Sequence, residues 1–233
     1  MEQSKTEQTK LLLTGSMLSG PIYIIVGIAQ LLTRKGFDIT RHPLSMMSLG
    51  DLGWIQIVNF IVTGLLVIAG AIGMGRLARA GKSSRWGSLL IGIYGLGVLG
   101  GGIFVTDPAL GFPPGTPDTY PQTMSWHGLL HFIFGQVGFL ALIASSFVFA
   151  RYFAKNGLRG WAMFSTLTGA LFLFAIMSTV ATAGGDGSVW ALLAVYAAVL
   201  LAWAWLTALS YYMRNELTDK EKSMFTKHAP ASK

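Results

Sequence analysis

Residues 124–150 read MSWHGLLHFIFGQVGFLALIASSFVFA, a run without a single Asp, Glu, Lys or Arg. A bilayer core about 30 Å thick takes roughly 20 apolar residues in helical form, so this stretch can cross a membrane. Working outward from it, five more uncharged runs of similar length appear at 11–32, 54–75, 86–105, 161–183 and 190–213. The expected fold is all-α, a six-transmembrane-helix bundle over residues 11–213. A polar cytoplasmic segment (1–10) precedes it and a basic cytoplasmic tail (214–233) follows. The first run is too long for a signal-peptide core and has no cleavage site after it, so it reads as an uncleaved span.

Composition agrees. Of 233 residues 52% are hydrophobic and 12% charged, with a mean hydropathy of +0.56. A soluble domain carries about 25% charged residues, so this chain has too little charge to coat a water-facing surface. The absence of cysteine excludes thiolate metal sites and Cys nucleophiles and leaves the redox compartment open.

Orientation follows from the positive charges, because short cytoplasmic loops accumulate Lys and Arg. Fourteen of the seventeen lie at the N-terminus, in the loops after the second and fourth spans, and in the tail. The remaining loops hold only Arg34, Lys35 and Arg41. Both termini are therefore expected in the cytoplasm of a cell-membrane protein. The pI of about 9.8 then reflects attraction to anionic headgroups rather than nucleic acid binding. Trp54, Trp126 and Trp190 open spans on the outer side, and Trp86 and Trp161 on the inner side, as indole's preference for the headgroup boundary requires. Arg76 to Trp86 and Arg151 to Trp161 share a ten-residue spacing that suggests two similar hairpins. Gly97 and Gly101 form a small-xxx-small pair suited to close helix approach.

Apart from His228, the histidines all fall on the outer side, as do all carboxylates away from the termini. His127 and His131, four residues apart on one helix face, can grip one metal ion. His42 and Asp107 are the candidates to complete the set, and zinc is the metal such a set would hold. Ser45 and Asp51, with His42, are candidates for nucleophilic attack on a lipid ester or amide. Gln56 and Asn59 in span two, with Thr63, and Ser178, Thr182 and Asp186 at the end of span five form polar stripes. Such stripes must face protein or a wet cavity, which points to an outward-opening pocket among spans two to five. The loop TDPALGFPPGTPDTYPQTM (106–124) holds five of the eight prolines and is expected to lie extended and stiff across its mouth.

The stretches HPLSMMSLGDLGWIQIVNFIVTGLL, IFVTDPALGFPPGTP and SWHGLLHFIFG resemble an uncharacterised prokaryotic integral membrane family, domain-of-unknown-function family 998, over about residues 10–213. The likeness rests on Ser48 with Leu49 and Gly50, Asp107 with Pro108, and Trp126 with His127 and Gly128. It implies six helices and no established reaction. A looser likeness, of chemistry rather than span order, is to alkaline ceramidases and progestin-receptor-like membrane hydrolases. These combine a His-xxx-His pair with a further His, an Asp and a Ser around zinc.

Three functions are compatible with these residues. One is a membrane protein that binds or translocates a small or lipidic ligand through the outward pocket, its partners being membrane lipids and that ligand. Another is a zinc-dependent lipid hydrolase, with bound water activated toward a pKa of about 7. The third is a haem protein, in which His42 would have to pair with His127 or His131, since two histidines on one helix face cannot serve as opposed axial ligands.

Overall fold

The computed structural model describes residues 2–182 and 189–228, with side chains in the last helix as far as Thr218. Six helices follow one another: α1 (Glu2–Thr33), α2 (Gly53–Arg79), α3 (Arg85–Ile103), α4 (Trp126–Lys155), α5 (Arg159–Ala181) and α6 (Val189–His228). A single 3-10 turn, Leu44–Ser48, precedes α2. All six helices are long and apolar enough to cross a membrane. The shortest, α3, has 19 residues, which at 1.5 Å per residue span about 28 Å.

The uncharged runs lie almost wholly within these helices, but α1 and α6 extend well beyond them. α1 takes in nearly all of the 1–10 segment, and α6 continues past 213 to His228. Extending a helix that already exists adds one hydrogen bond per residue fixed and avoids the nucleation cost. Lys10 Nζ to Glu7 Oε1, 2.9 Å apart at an i,i+3 spacing, supports the added N-terminal turns.

The helices form a closed ring: each packs on its neighbours in sequence, and α6 returns to pack on α1. Polar bonds pin that closure, Ser210 Oγ to Ser16 Oγ at 3.0 Å and Arg214 Nε to Thr14 Oγ1 at 2.9 Å. In lipid such interhelical bonds contribute on the order of 0.6 kcal/mol each. Between α3 and α4 the seam is backbone against backbone. A Cβ on Gly97 would stand 2.7 Å from Gly138 Cα and 2.7 Å from the Phe134 carbonyl oxygen.

The turns after α2 and α4 are built alike. After α2, the Lys82 N–H reaches the Leu77 carbonyl and the Gly81 N–H the Ala78 carbonyl. After α4, Leu158 and Gly157 make the same pair of bonds to Phe153 and Ala154. Gly81 and Gly157 both adopt left-handed φ, at 72° and 74°. This is the Schellman ending, in which the residue beyond the last helical carbonyls must turn left-handed. The hairpin similarity suggested by the Arg-to-Trp spacing is thus real at the level of the turn.

Outside the ring, large apolar side chains such as Leu32, Leu65, Leu96, Leu140, Phe174 and Leu200 are exposed, as a lipid-facing surface requires. Trp54, Trp126 and Trp190 are more than half exposed at one end of the bundle, and Trp86 at the other. Trp203 and Trp205 are buried instead, in a core with Leu142, Phe149, Phe153, Phe172 and Leu206. That core fills the half of the ring nearer the 80–84 and 156–158 turns. The half nearer the 34–52 and 104–125 loops is open.

Candidate functional site

The open half encloses a cavity of about 590 Å³ to which all six helices contribute. Its floor is aromatic. Trp203 of α6 stacks on Tyr23 of α1 with ring centroids 4.8 Å apart, and Tyr94 of α3 lies 5.7 Å from Trp203. The walls come mainly from α3, α4 and α6, and at Gly135 of α4 nothing lies within 4 Å of where a Cβ would stand. α5 contributes only Ile176 and Thr179.

The roof consists of the two long loops, which hold each other in place. Residues 106–124 are not extended, as their prolines suggest; they fold back on themselves. The Leu110 N–H bonds the Thr119 carbonyl at 3.1 Å, and the Gly111 N–H bonds the Pro117 carbonyl at 3.1 Å. Phe112 goes inward and packs with Met46, Leu49 and Ala109 in a small second core. Proline-rich sequence removes donors, but the amides of Ala109, Leu110, Gly111, Phe112 and Thr116 bond carbonyls within the loop.

His42 joins the two loops. Its ring is 2% exposed. Nδ1 accepts the Asp38 N–H at 2.8 Å, and Nε2 lies 2.9 Å from the Leu110 carbonyl oxygen. A carbonyl can only accept, so the proton sits on Nε2 and both ring nitrogens are committed. The His42 carbonyl in turn accepts from the Tyr196 hydroxyl of α6. Arg34 donates to the Leu49 carbonyl and lies over the Phe112 ring, 5.6 Å from its centroid. Burial lowers the pKa of this guanidinium, while nearby Asp51 raises it. Arg41 pairs with Asp118 at 2.5 Å across the two loops. The Asp38 carboxyl is held below its usual pKa chiefly by the Thr40 hydroxyl and the Thr40 N–H, with His42 and Arg41 assisting.

Asp107 and His131 stand together at the rim. The Asp107 Oδ2 accepts the Ser125 N–H at 2.8 Å, and its carboxylate fits against Gly128, where a Cβ would come within 2.2 Å of Oδ2. Ser125 caps α4 by accepting the Gly128 N–H at 3.0 Å. The carboxylate therefore lies on the N-terminus of α4, where the helix dipole favours it. One turn on, His131 Nδ1 is 2.7 Å from the Phe104 carbonyl oxygen, so Nδ1 carries the proton and Nε2 is an acceptor. Both residues line the cavity, with Ser45, Thr106, Tyr120 and Gln136.

The candidates are thus divided. Asp107, His131 and Ser45 border the cavity. His127 is exposed and packs on the Trp126 ring, 3.4 Å between centroids. His42 is bonded into the roof, and Asp51 is exposed beyond the Gly50 turn. Among the described residues no three His, Cys, Asp or Glu side chains come close enough to hold one metal ion. Gln56 and Asn59 turn toward α1, where Gln30 Nε2 donates to Gln56 Oε1 at 2.7 Å and Asn59 Nδ2 to the same oxygen at 3.3 Å. Ser178 and Thr182 bond carbonyls of their own helix. Asp186 lies outside the described residues. The lining that charge and polarity did not reveal is aromatic: Tyr23, Tyr94, Tyr196 and Trp203. In an apolar span such residues look like core packing, and no periodicity separates the two.

No curated protein and no solved structure matches this chain. A family model does, over residues 17–212, and its description is "Protein of unknown function". The match covers the six-helix ring, both loops of the roof and the cavity between them, and the chain belongs to this family, DUF998.

Proposed function

We propose that this multi-pass membrane protein binds a small amphipathic or lipidic ligand in the cavity, with the polar end at Asp107 and His131 and the apolar body against the aromatic floor. The observation that carries this reading is the cavity's composition. Its volume of about 590 Å³ lies within the roughly 300–1,000 Å³ usual for small-molecule sites, which are mostly apolar with a few placed polar groups. The packed core beneath Trp203 favours binding over passage through the ring. On the charge distribution, the roofed end faces the exterior and both termini the cytoplasm of the cell membrane.

Native mass spectrometry of the purified protein tests the reading. Gly135 lines the cavity, and nothing lies within 4 Å of where its Cβ would be, so Gly135→Phe should fill the space without straining the helix. The expected result is a bound amphiphile on the wild type that is lost from a Gly135→Phe variant of unchanged thermal stability. Equal ligand loading of the two proteins would overturn the reading.

A further inference from the structure

We propose that the ligand's polar end is a cationic hydrogen-bond donor, a protonated amine on an apolar chain, received by Asp107. This deepens the ligand-cavity reading and rests on it. Among the described residues that line the cavity Asp107 is the sole acid, and none is Lys or Arg. Of the three cations of the roof, Arg34 is engaged with the Leu49 carbonyl and Arg41 with Asp118, while Lys35 is exposed and is not among the lining residues. An anionic end group would therefore leave water to meet a carboxylate with no compensating cation, which is the repulsive half of specificity.

The rim offers acceptors. Asp107 spends Oδ2 on the Ser125 N–H, while its Oδ1 takes no hydrogen bond from the described residues. His131 spends its Nδ1 proton on the Phe104 carbonyl, which leaves the Nε2 lone pair. An ammonium brings three donors and a charge, and so suits a carboxylate oxygen and an imidazole lone pair better than any other common lipid end group. Below the rim, the faces of Tyr23, Tyr94, Tyr196 and Trp203 give a surface attractive to cations near the headgroup and to methylenes deeper in.

The test uses three probes of equal length in zwitterionic nanodiscs at pH 7: terminally brominated twelve-carbon amine, alcohol and carboxylate. Bromine quenches tryptophan on contact, and the part of the quenching that disappears in Trp203→Phe reports the cavity floor. Each probe is compared between wild type and Asp107→Asn in the same discs, so partition into the bilayer cancels. Asparagine keeps an oxygen for the Ser125 N–H and removes the charge.

The expected result is saturable quenching at a half-saturating concentration at least tenfold lower for the amine than for the alcohol, with none by the carboxylate. Asp107→Asn should raise the amine's value to the alcohol's and leave the alcohol's where it was. Equal binding of amine and alcohol by the wild type, preference for the carboxylate, or an Asp107→Asn variant that keeps the amine preference would overturn the cationic assignment while leaving the cavity reading intact. Absence of Trp203-dependent quenching by all three would overturn both.

Discussion

The hydroxyl of Tyr196, in α6, donates to the backbone carbonyl of His42, 154 positions earlier in the chain. One atom of the cavity wall is thereby tied to the residue that joins both loops of the roof. The contact makes roof and wall a single unit, so loosening it should affect stability and access together. Tyr196→Phe removes the donor and leaves a buried carbonyl unpaired, at a cost of about 1 kcal/mol. For a chain of this size that lowers the Tm by roughly 2–4 °C. Thermal unfolding in detergent measures it, and an unchanged Tm would show that the bond adds nothing to the roof.

Helix approach at Gly97 gives a second prediction. A methyl there meets backbone atoms of α4, which cannot rotate away as a side chain would. Gly97→Ala should cost about 1–3 kcal/mol, the usual range for overpacking. Gly92→Ala, whose Cβ would stand 3.5 Å from Ala71 Cβ in ordinary contact, should leave the Tm unchanged. If the two variants melt alike, α3 and α4 are not held as close as described.

The spans were legible in the sequence because a bilayer imposes a length and forbids charge, and both can be counted along 124–150 without knowing what the helix touches. Gly97 was legible for a related reason, since small residues at helical spacing have few other uses in lipid. The cavity was legible only at its rim. Asp107 and His131 stand out by charge, but their spacing could not show that His127, four residues from His131, stays outside on Trp126. Nor could His42 be told from a metal ligand, because what commits its nitrogens is the Asp38 amide and the Leu110 carbonyl, and backbone groups carry no sequence signature. Gln56 and Asn59 read as pocket residues because polarity in a span demands a partner. Gln56 finds its partner in Gln30 of the neighbouring helix, and Asn59 in Gln56 and the Tyr23 carbonyl.

Sidedness yields a third prediction. The chain has no native cysteine, and Gln122 in the roof and Ala80 in the turn after α2 are both exposed. Gln122→Cys should react with a membrane-impermeant maleimide on intact cells. Ala80→Cys should react only after the membrane is opened. The opposite pattern would place the cavity mouth in the cytoplasm and reverse the route by which a ligand arrives.

A fourth prediction concerns acid. Asp38 is solvent-exposed, and its carboxylate accepts from the Thr40 hydroxyl at 2.6 Å and the Thr40 N–H at 2.8 Å. These bonds favour the charged form, so the folded pKa falls below the ordinary carboxylate value of about 3.9. A depressed folded pKa contributes stability that is present above the unfolded pKa and lost as pH falls through the folded one. Thr40→Val removes the hydroxyl, while Thr40→Ser keeps it. The Tm difference between wild type and Thr40→Val should therefore be largest near neutral pH and shrink as pH drops below 4, where Asp38 becomes protonated in both proteins. Thr40→Ser should follow the wild type throughout. Because the pair is exposed, high salt should reduce the difference at neutral pH as well. A difference that stays constant from pH 7 to pH 3 would mean that Thr40 acts through packing, and that the Asp38 turn holding the amide bonded to His42 is not set by the charge.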